Sequence, residues 1–258
     1  MICSSKADAI PSTHVRRHPN GAPVHCRQSG FHTEEGYSTI RNVERARQVN
    51  SYQRPAKIFL LSPALLTGAR AKQLLSPRAQ FPAAQSFRSP QGVPIAEAFS
   101  FLSCLYFRGK IAYAKHFAAP PLGWTGTGIY VITPGFGLVP PEWNVNAARM
   151  RQLQQTPVDP KSRAYRVPLQ EHAEALAERI GRLDSDTSVV LLGSIATGKY
   201  VDLLWPIFQE RLLYPCSFAG VGDMSRGALM LRAARSGEEL DYDSVESVLF
   251  RVTARRRR

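Results

Sequence analysis

The sequence predicts an α/β protein: a single wound, largely parallel sheet with helices on both faces, preceded by a disordered N-terminal extension. Three observations carry this. From Pro55 onward, short apolar runs alternate with longer stretches of helical periodicity. The apolar runs do not switch between apolar and polar at every second residue, the pattern of strands buried on both faces. Each run then ends in Gly, Pro, Ser or Thr rather than in a bulky side chain.

The elements follow in order. Residues 1–54 are rich in Arg, His, Ser, Asn and Gly and poor in large aliphatics, so they are expected to be a disordered or dispensable basic extension. Only "TIRNVERARQVN" (39–50) has helical character there. The domain proper is expected over 55–254. Its first strand is "KIFLLSPA" (57–64), followed by the helical "LLTGARAKQLL" (65–75) and a Pro/Gln/Ser-rich loop over 76–94. In "IAEAFSFLSCLYFRGKIAYAKHFA" (95–118), Phe99, Leu102, Phe107, Ile111 and Ala114 recur at helical spacing. Tyr106, Arg108 and Lys110 interrupt that apolar pattern and either face a site or extend to solvent. Cys104 reads as a small buried apolar residue. The second strand is "GIYVITP" (128–134), with "GFGLVPPEWNV" as a tight connection. Helices at about 145–154 and 167–183, the strand "SVVLLG", the helix "ATGKYVDLLWPIFQERL", the short strand "LYPCSFAG" and the helix "DMSRGALMLRAARSG" complete the alternation. Pro206 should kink its helix, and "ELDYDSVESVLFRV" is expected to add a terminal strand.

The chain has 258 residues and a formal charge of +13. Much of the charge is terminal: residues 1–54 carry a net +4 and the closing "RRRR" (255–258) another +4. Nucleic acid bound through these basic tails is therefore one partner class, with solvated tails the plain alternative. No apolar run approaches the roughly 18 residues of a membrane span. The first residues contain no continuous hydrophobic segment of the kind a signal peptide needs. A cytoplasmic protein without membrane contact is expected. Cys3, Cys26, Cys104 and Cys216 form no C-x-x-C pair, which argues against a disulfide framework or structural zinc. His14, His18, His25 and His32, with Cys26, fit no zinc spacing. Neither a cofactor nor a metal is expected, and the oligomeric state is left open.

In wound parallel sheets, ligands bind beyond the carboxyl ends of the strands. That rule selects four loops: Ser62-Pro63, Thr133-Pro134-Gly135, Gly193–Gly198 and Gly220–Gly227. Gly193, Gly198 and Lys199 have the G-x-x-x-x-G-K spacing of a phosphate-binding loop, with Ser194 or Thr197 available as a helix cap. Tyr200, however, stands where that motif needs a small hydroxyl for magnesium, which argues against a nucleotide hydrolase. In the second glycine cluster, Gly222 permits a bend, Asp223 is a natural N-cap, and Ser225 and Arg226 lie one turn in. The candidate ligand-binding set is Ser62, Thr133, Gly193, Ser194, Thr197, Gly198, Lys199, Gly222, Ser225 and Arg226. The expected ligand is a nucleotide, nucleobase or nucleic-acid element. A transferase or glycosidase acting on a nucleoside-like substrate is the enzymatic alternative. No catalytic nucleophile or base is identifiable: His116 and His172 read as surface residues, and there is no G-x-S-x-G elbow.

Several phrases carry a resemblance: "IFLLSPA" with "GARA", "FSFLSCLYFRGKIAYAKHF", "VITPGFGLVPPE", "VVLLGSIATGKYVDLL" and "GDMSRGALMLRAA". Together they resemble a family of uncharacterised bacterial α/β proteins, distantly similar to the YaaA-type peroxide-stress proteins. The resemblance covers about 57–235 and implies an α/β fold, DNA binding and protection against oxidative damage without catalysis. The basic hairpin element expected for DNA binding is not evident. "VVLLGSIATGK" and "YPCSFAGVGDMSRG" are more faintly similar to two turns of the uracil-DNA-glycosylase-like fold. That fold's His-Pro-Ser-Pro motif is absent, so base excision is not implied.

Overall fold

Four apolar runs become parallel strands because their side chains are buried along nearly their whole length: β1 (Lys57–Leu61), β3 (Ile129–Thr133), β6 (Ser188–Leu192) and β7 (Leu212–Pro215). The computed structural model describes residues 55–256, which belong to one compact unit, Gln53–Arg258. The extension over 1–54, its four histidines with Cys26, its helical stretch and the last two arginines lie outside the described residues. Among the described residues, no helix is long and apolar enough to cross a membrane.

The protein is α/β, with a six-stranded, mostly parallel sheet of order β4-β3-β1-β6-β7-β8. In register, Phe59 of β1 lies between Ile129 of β3 and Val190 of β6. The two edges are antiparallel: β4 (Gly137–Val139) returns along β3, and β8 (Tyr242–Ser244) returns along β7. From β1 the chain moves to one side to form β3. It then passes back to build β6 on the other side, so strand order reverses at the carboxyl ends of β1 and β6.

Several elements depart from expectation. The loop over 76–94 contains a helix, α2 (Pro82–Arg88), because Pro82 occupies its first turn, where a missing N–H costs nothing. It ends at β2 (Val93–Pro94), which pairs with β5 (Asn144–Val145) in a two-stranded sheet. The connection after β3 is therefore a hairpin and a second small sheet rather than a plain turn. The preceding helix, α1 (Ala69–Leu75), is shorter than expected. The stretch 95–118 is two helices, α3 (Ile95–Ser103) and α4 (Leu105–Phe117), broken at Cys104 with φ +49° and ψ −120°. Cys104 is half-buried at this break rather than a core residue. Helices α5 (Ala147–Gln155) and α6 (Arg163–Leu183) precede β6. Helix α7 (Val201–Phe208) is half the expected length and ends two residues after Pro206. Helix α8 (Asp223–Ser236) has Gly222, not Asp223, at its N-cap position. The terminal segment gives β8 and then a helix, α9 (Val245–Arg256), which runs into the arginine run.

Two buried lysines mark the opposite ends of β1. Lys57, at the amino end, is ion-paired with Glu239 and faces the Tyr242 ring at 5.0 Å. Tyr242 donates to the same Glu239 at 2.8 Å, and its hydroxyl meets that of Tyr113 at 2.5 Å. This charge has a full set of partners. Lys110, at the carboxyl end, has a different environment.

Candidate functional site at the strand carboxyl ends

Helix α4 lies along β1 with its first turns over the carboxyl end of the strand. Tyr106 and Lys110 are four residues apart and share its inner face. Arg108, between them, points to solvent. Helix α8 packs against α4 at unusually short range. A Cβ added at Gly227 would fall 2.7 Å from the Leu105 carbonyl oxygen, and one at Gly109 would fall 2.7 Å from that of Gly227. Two glycines facing each other let the backbones approach, which brings Arg226 to the inner face of α4, with the mostly exposed Asp223 one turn before it.

Lys110 is 0% exposed. Its Nζ donates to the Ser62 carbonyl oxygen at 3.0 Å and lies 2.7 Å from Ser62 Oγ. Among the described residues no carboxylate lies within ion-pair distance of it; Asp223 acts from further away. Burial lowers the pKa of Lys110 to about 7, with Arg226 pushing the same way and Asp223 opposing. The Tyr106 ring, 3.9 Å from Nζ, returns about 2 kcal/mol to a desolvated cation. That is less than the several kcal/mol that an unpaired buried charge costs. Desolvation wins, and near neutrality a large fraction of Lys110 is the uncharged amine.

Tyrosines surround this pair. Tyr200 interacts through its hydroxyl with Ser62, and burial pushes that phenol up to about 12. Tyr106 and Tyr214 are 7% and 0% exposed, and among the described residues their hydroxyls make no hydrogen bond. The Arg226 guanidinium lies beside the Tyr106 hydroxyl but outside hydrogen-bonding geometry. Burial raises both phenols, while Arg226 pulls them down. Both therefore remain neutral O–H groups. Buried polar atoms are nearly always partnered, so these two hydroxyls beside one arginine are open to a water molecule or to a ligand. The third such atom among the described residues, Trp124 Nε1, belongs to a different pair, with Arg179 stacked on its ring at 3.8 Å.

The predicted site residues divide into groups. Ser62, Gly193 and Arg226 come together. Ser62 N donates to the Leu192 carbonyl at 3.1 Å, and a Cβ on Gly193 would fall 2.9 Å from Ser62 Cβ, so only glycine fits there. Arg226 is held by its Nε donating to the Phe218 carbonyl at 3.2 Å and by Asp223 at 3.7 Å. Ser194 lies at the rim, its hydroxyl accepting from Ala196 N at 3.4 Å. Gly222 and Ser225 are exposed around the start of α8. Thr133 is fully buried, but its hydroxyl donates to the Gly137 carbonyl at 2.8 Å and closes the β3–β4 hairpin.

The phosphate-loop spacing has another geometry. Thr197 and Lys199 are exposed, and the helix begins only at Val201. The Asp202 carboxylate packs directly against Gly198, whose φ is +67°. A negative charge therefore already occupies the start of α7, which opposes a phosphate there. The Lys199 carbonyl is tied down by the Tyr165 hydroxyl at 3.1 Å. His172 is exposed and accepts from Leu138 N at 3.1 Å through Nδ1.

Sequence reasoning missed Lys110 and Tyr106 as members of the site, although it flagged them as an anomaly within an apolar helix. It weighed Tyr200 only against the phosphate-loop motif and missed Tyr214 altogether, since a tyrosine in an apolar run carries no signal of an unsatisfied hydroxyl. No group of three metal-ligating side chains occurs among the described residues. An open hollow of about 670 Å³ lies toward the far end of α8, beside Arg232, Arg235, Glu238 and Glu239, away from the orphan hydroxyls. Comparison with family models, with curated proteins and with solved structures finds no match for this chain.

Proposed function

We propose that this protein is a cytoplasmic binder of a small ligand of the nucleotide or nucleobase class. The ligand enters at the carboxyl ends of β1, β6 and β7, in a wound sheet covered by helices on both faces. One observation carries the reading: the orphan hydroxyls of Tyr106 and Tyr214 beside Arg226, where strand order reverses. Two neutral O–H donors and one guanidinium suit a ligand with carbonyl or phosphate oxygens. The flat tyrosine rings favour a planar one.

A thermal-shift panel of nucleotides, nucleosides and nucleobases tests this. At about 100 times Kd, a ligand adds about 2.7 kcal/mol, which raises Tm by roughly 5–10 °C in a domain of this size. Arg226→Ala and Tyr106→Phe are expected to remove most of that shift while leaving the ligand-free Tm within a few degrees. A panel in which no compound shifts Tm, or a shift untouched by both substitutions, contradicts the reading.

A further inference from the structure

We propose that Ser62 is a nucleophile and Lys110 its general base, a Ser–Lys pair that transfers or hydrolyses acyl groups at the carboxyl end of β1. This goes beyond ligand binding at the same strand ends, and it does not require the ligand to be a nucleotide.

A serine hydroxyl is a poor nucleophile until a base within hydrogen-bond reach accepts its proton. The 2.7 Å separation of Lys110 Nζ and Ser62 Oγ lies inside that reach. A lysine serves as base only as the free amine, and three features hold it there: complete burial, no carboxylate at ion-pair distance among the described residues, and Arg226 nearby. The groups facing it come from every neighbouring element: Ser62 after β1, Tyr106 on α4, and Asp223 and Arg226 on α8. Tyr200 joins them through Ser62. Lys57 shows the contrast, since it is buried on the same strand but neutralised by Glu239 and has no hydroxyl to activate.

In the structure Nζ donates to both Ser62 oxygens. In the amine form the 2.7 Å contact reverses, the Nζ lone pair accepting the Ser62 O–H while one N–H still donates to the carbonyl oxygen. Ser62 Oγ then attacks the carbonyl carbon of an ester, thioester or amide. The C–O bond forms as the proton passes to Lys110 Nζ, and the carbonyl electron pair moves onto oxygen. Tyr200, whose hydroxyl interacts with Ser62, is the donor closest to that oxyanion. Its collapse breaks the bond to the leaving group, which takes the proton from Lys110 and leaves an ester on Ser62. Water attacks that ester, giving one proton to Lys110 and its oxygen to the acyl carbon. The carboxylic acid departs as Ser62 Oγ recovers a proton from Lys110. Atoms and charge balance without a metal or a redox partner.

The test uses the full chain and a fluorophosphonate probe, whose fluoride leaves as Ser Oγ bonds to phosphorus. Peptide mass spectrometry is expected to place the adduct on Ser62, with a labelling rate that rises with pH and is half-maximal near pH 7. Ser62→Ala abolishes it. Lys110→Met, checked by circular dichroism for an intact fold, slows it on the order of 100-fold. Should that variant not fold, the pH profile of the wild type against Ser62→Ala carries the test. No adduct on Ser62, or a rate independent of both pH and Lys110, overturns the proposal. A protein that is shifted thermally by a nucleotide yet never labelled loses the Ser–Lys pair and keeps the binding site; labelling without any thermal shift does the reverse.

Discussion

Gly227→Ala is expected to destabilise the protein by about 2 kcal/mol and lower its Tm by about 4–8 °C. The added methyl group would lie 2.7 Å from the Leu105 oxygen, 2.9 Å from its carbonyl carbon and 2.9 Å from the Tyr106 Cα. All three are backbone atoms, so no side chain can swing away, and helix α8 must move instead. Alanine has about 1 kcal/mol better helix propensity than glycine, so the steric term has to exceed that to show at all. Gly181→Ala provides the control of opposite sign. It lies in α6, where an added Cβ meets nothing within 4 Å, and it is expected to stabilise by up to about 1 kcal/mol. Denaturant unfolding of both variants checks the pair. Because α8 carries Asp223 and Arg226, Gly227→Ala should also weaken any ligand that Arg226 holds, whereas Gly181→Ala should not.

The second large effect is on the pH dependence of stability. Lys110 has a folded-state pKa lowered from 10.5 to about 7, so between those values the unfolded chain binds a proton that the folded chain does not. Stability therefore rises with pH across that interval, and the burial cost is fully present below pH 7. From pH 7 to 9 this residue alone contributes a gain of about 2 kcal/mol. Lys110→Met keeps the length of the side chain and removes the titration. Urea unfolding at pH 6, 7, 8 and 9 is expected to show the wild type gaining on the variant by that amount. Above pH 10 the sign reverses for a separate reason. Buried Tyr106, Tyr113 and Tyr200 have raised pKa values, so their neutral forms stabilise the fold below pH 10 and lose that contribution as the unfolded phenols ionise. Parallel wild-type and variant curves from pH 6 to 9 would contradict the account.

Much of the sheet was legible in the sequence. KIFLL, IYVIT and SVVLL each hold four consecutive apolar residues, β-branched residues among them, a length and composition that fit a strand buried on both faces. Their shared parallel edge follows from alternation with helices. A terminal strand was expected where β8 lies, but its antiparallel direction and the β4 edge were not legible, because both strands are three residues long and are defined by the strands they pair with. The break at Cys104 was hidden because apolar spacing continues through it from Phe99 to Phe107. The phosphate-loop spacing counts residues, but the chain spends Gly198 to Tyr200 on turns and puts Asp202 where an anion would sit. Ser62 and Arg226 were selected by the rule that strand ends carry sites, and the structure brings them to the same end of the sheet. Lys110 was visible as an oddity, but its inward direction depends on the helix contact made by Gly109 and Gly227, which is tertiary information.

The state of the Lys110 amine underlies both the site and its chemistry. Carbon-13 labelling of lysine, with the Lys110 Cε resonance assigned by its loss in Lys110→Met, reports that state directly as pH is raised from 5 to 11. A midpoint close to pH 7 is the predicted result. A midpoint above 10, like that of a solvated lysine, would mean that Lys110 is a charged clamp on Ser62 and that no base stands beside the hydroxyl.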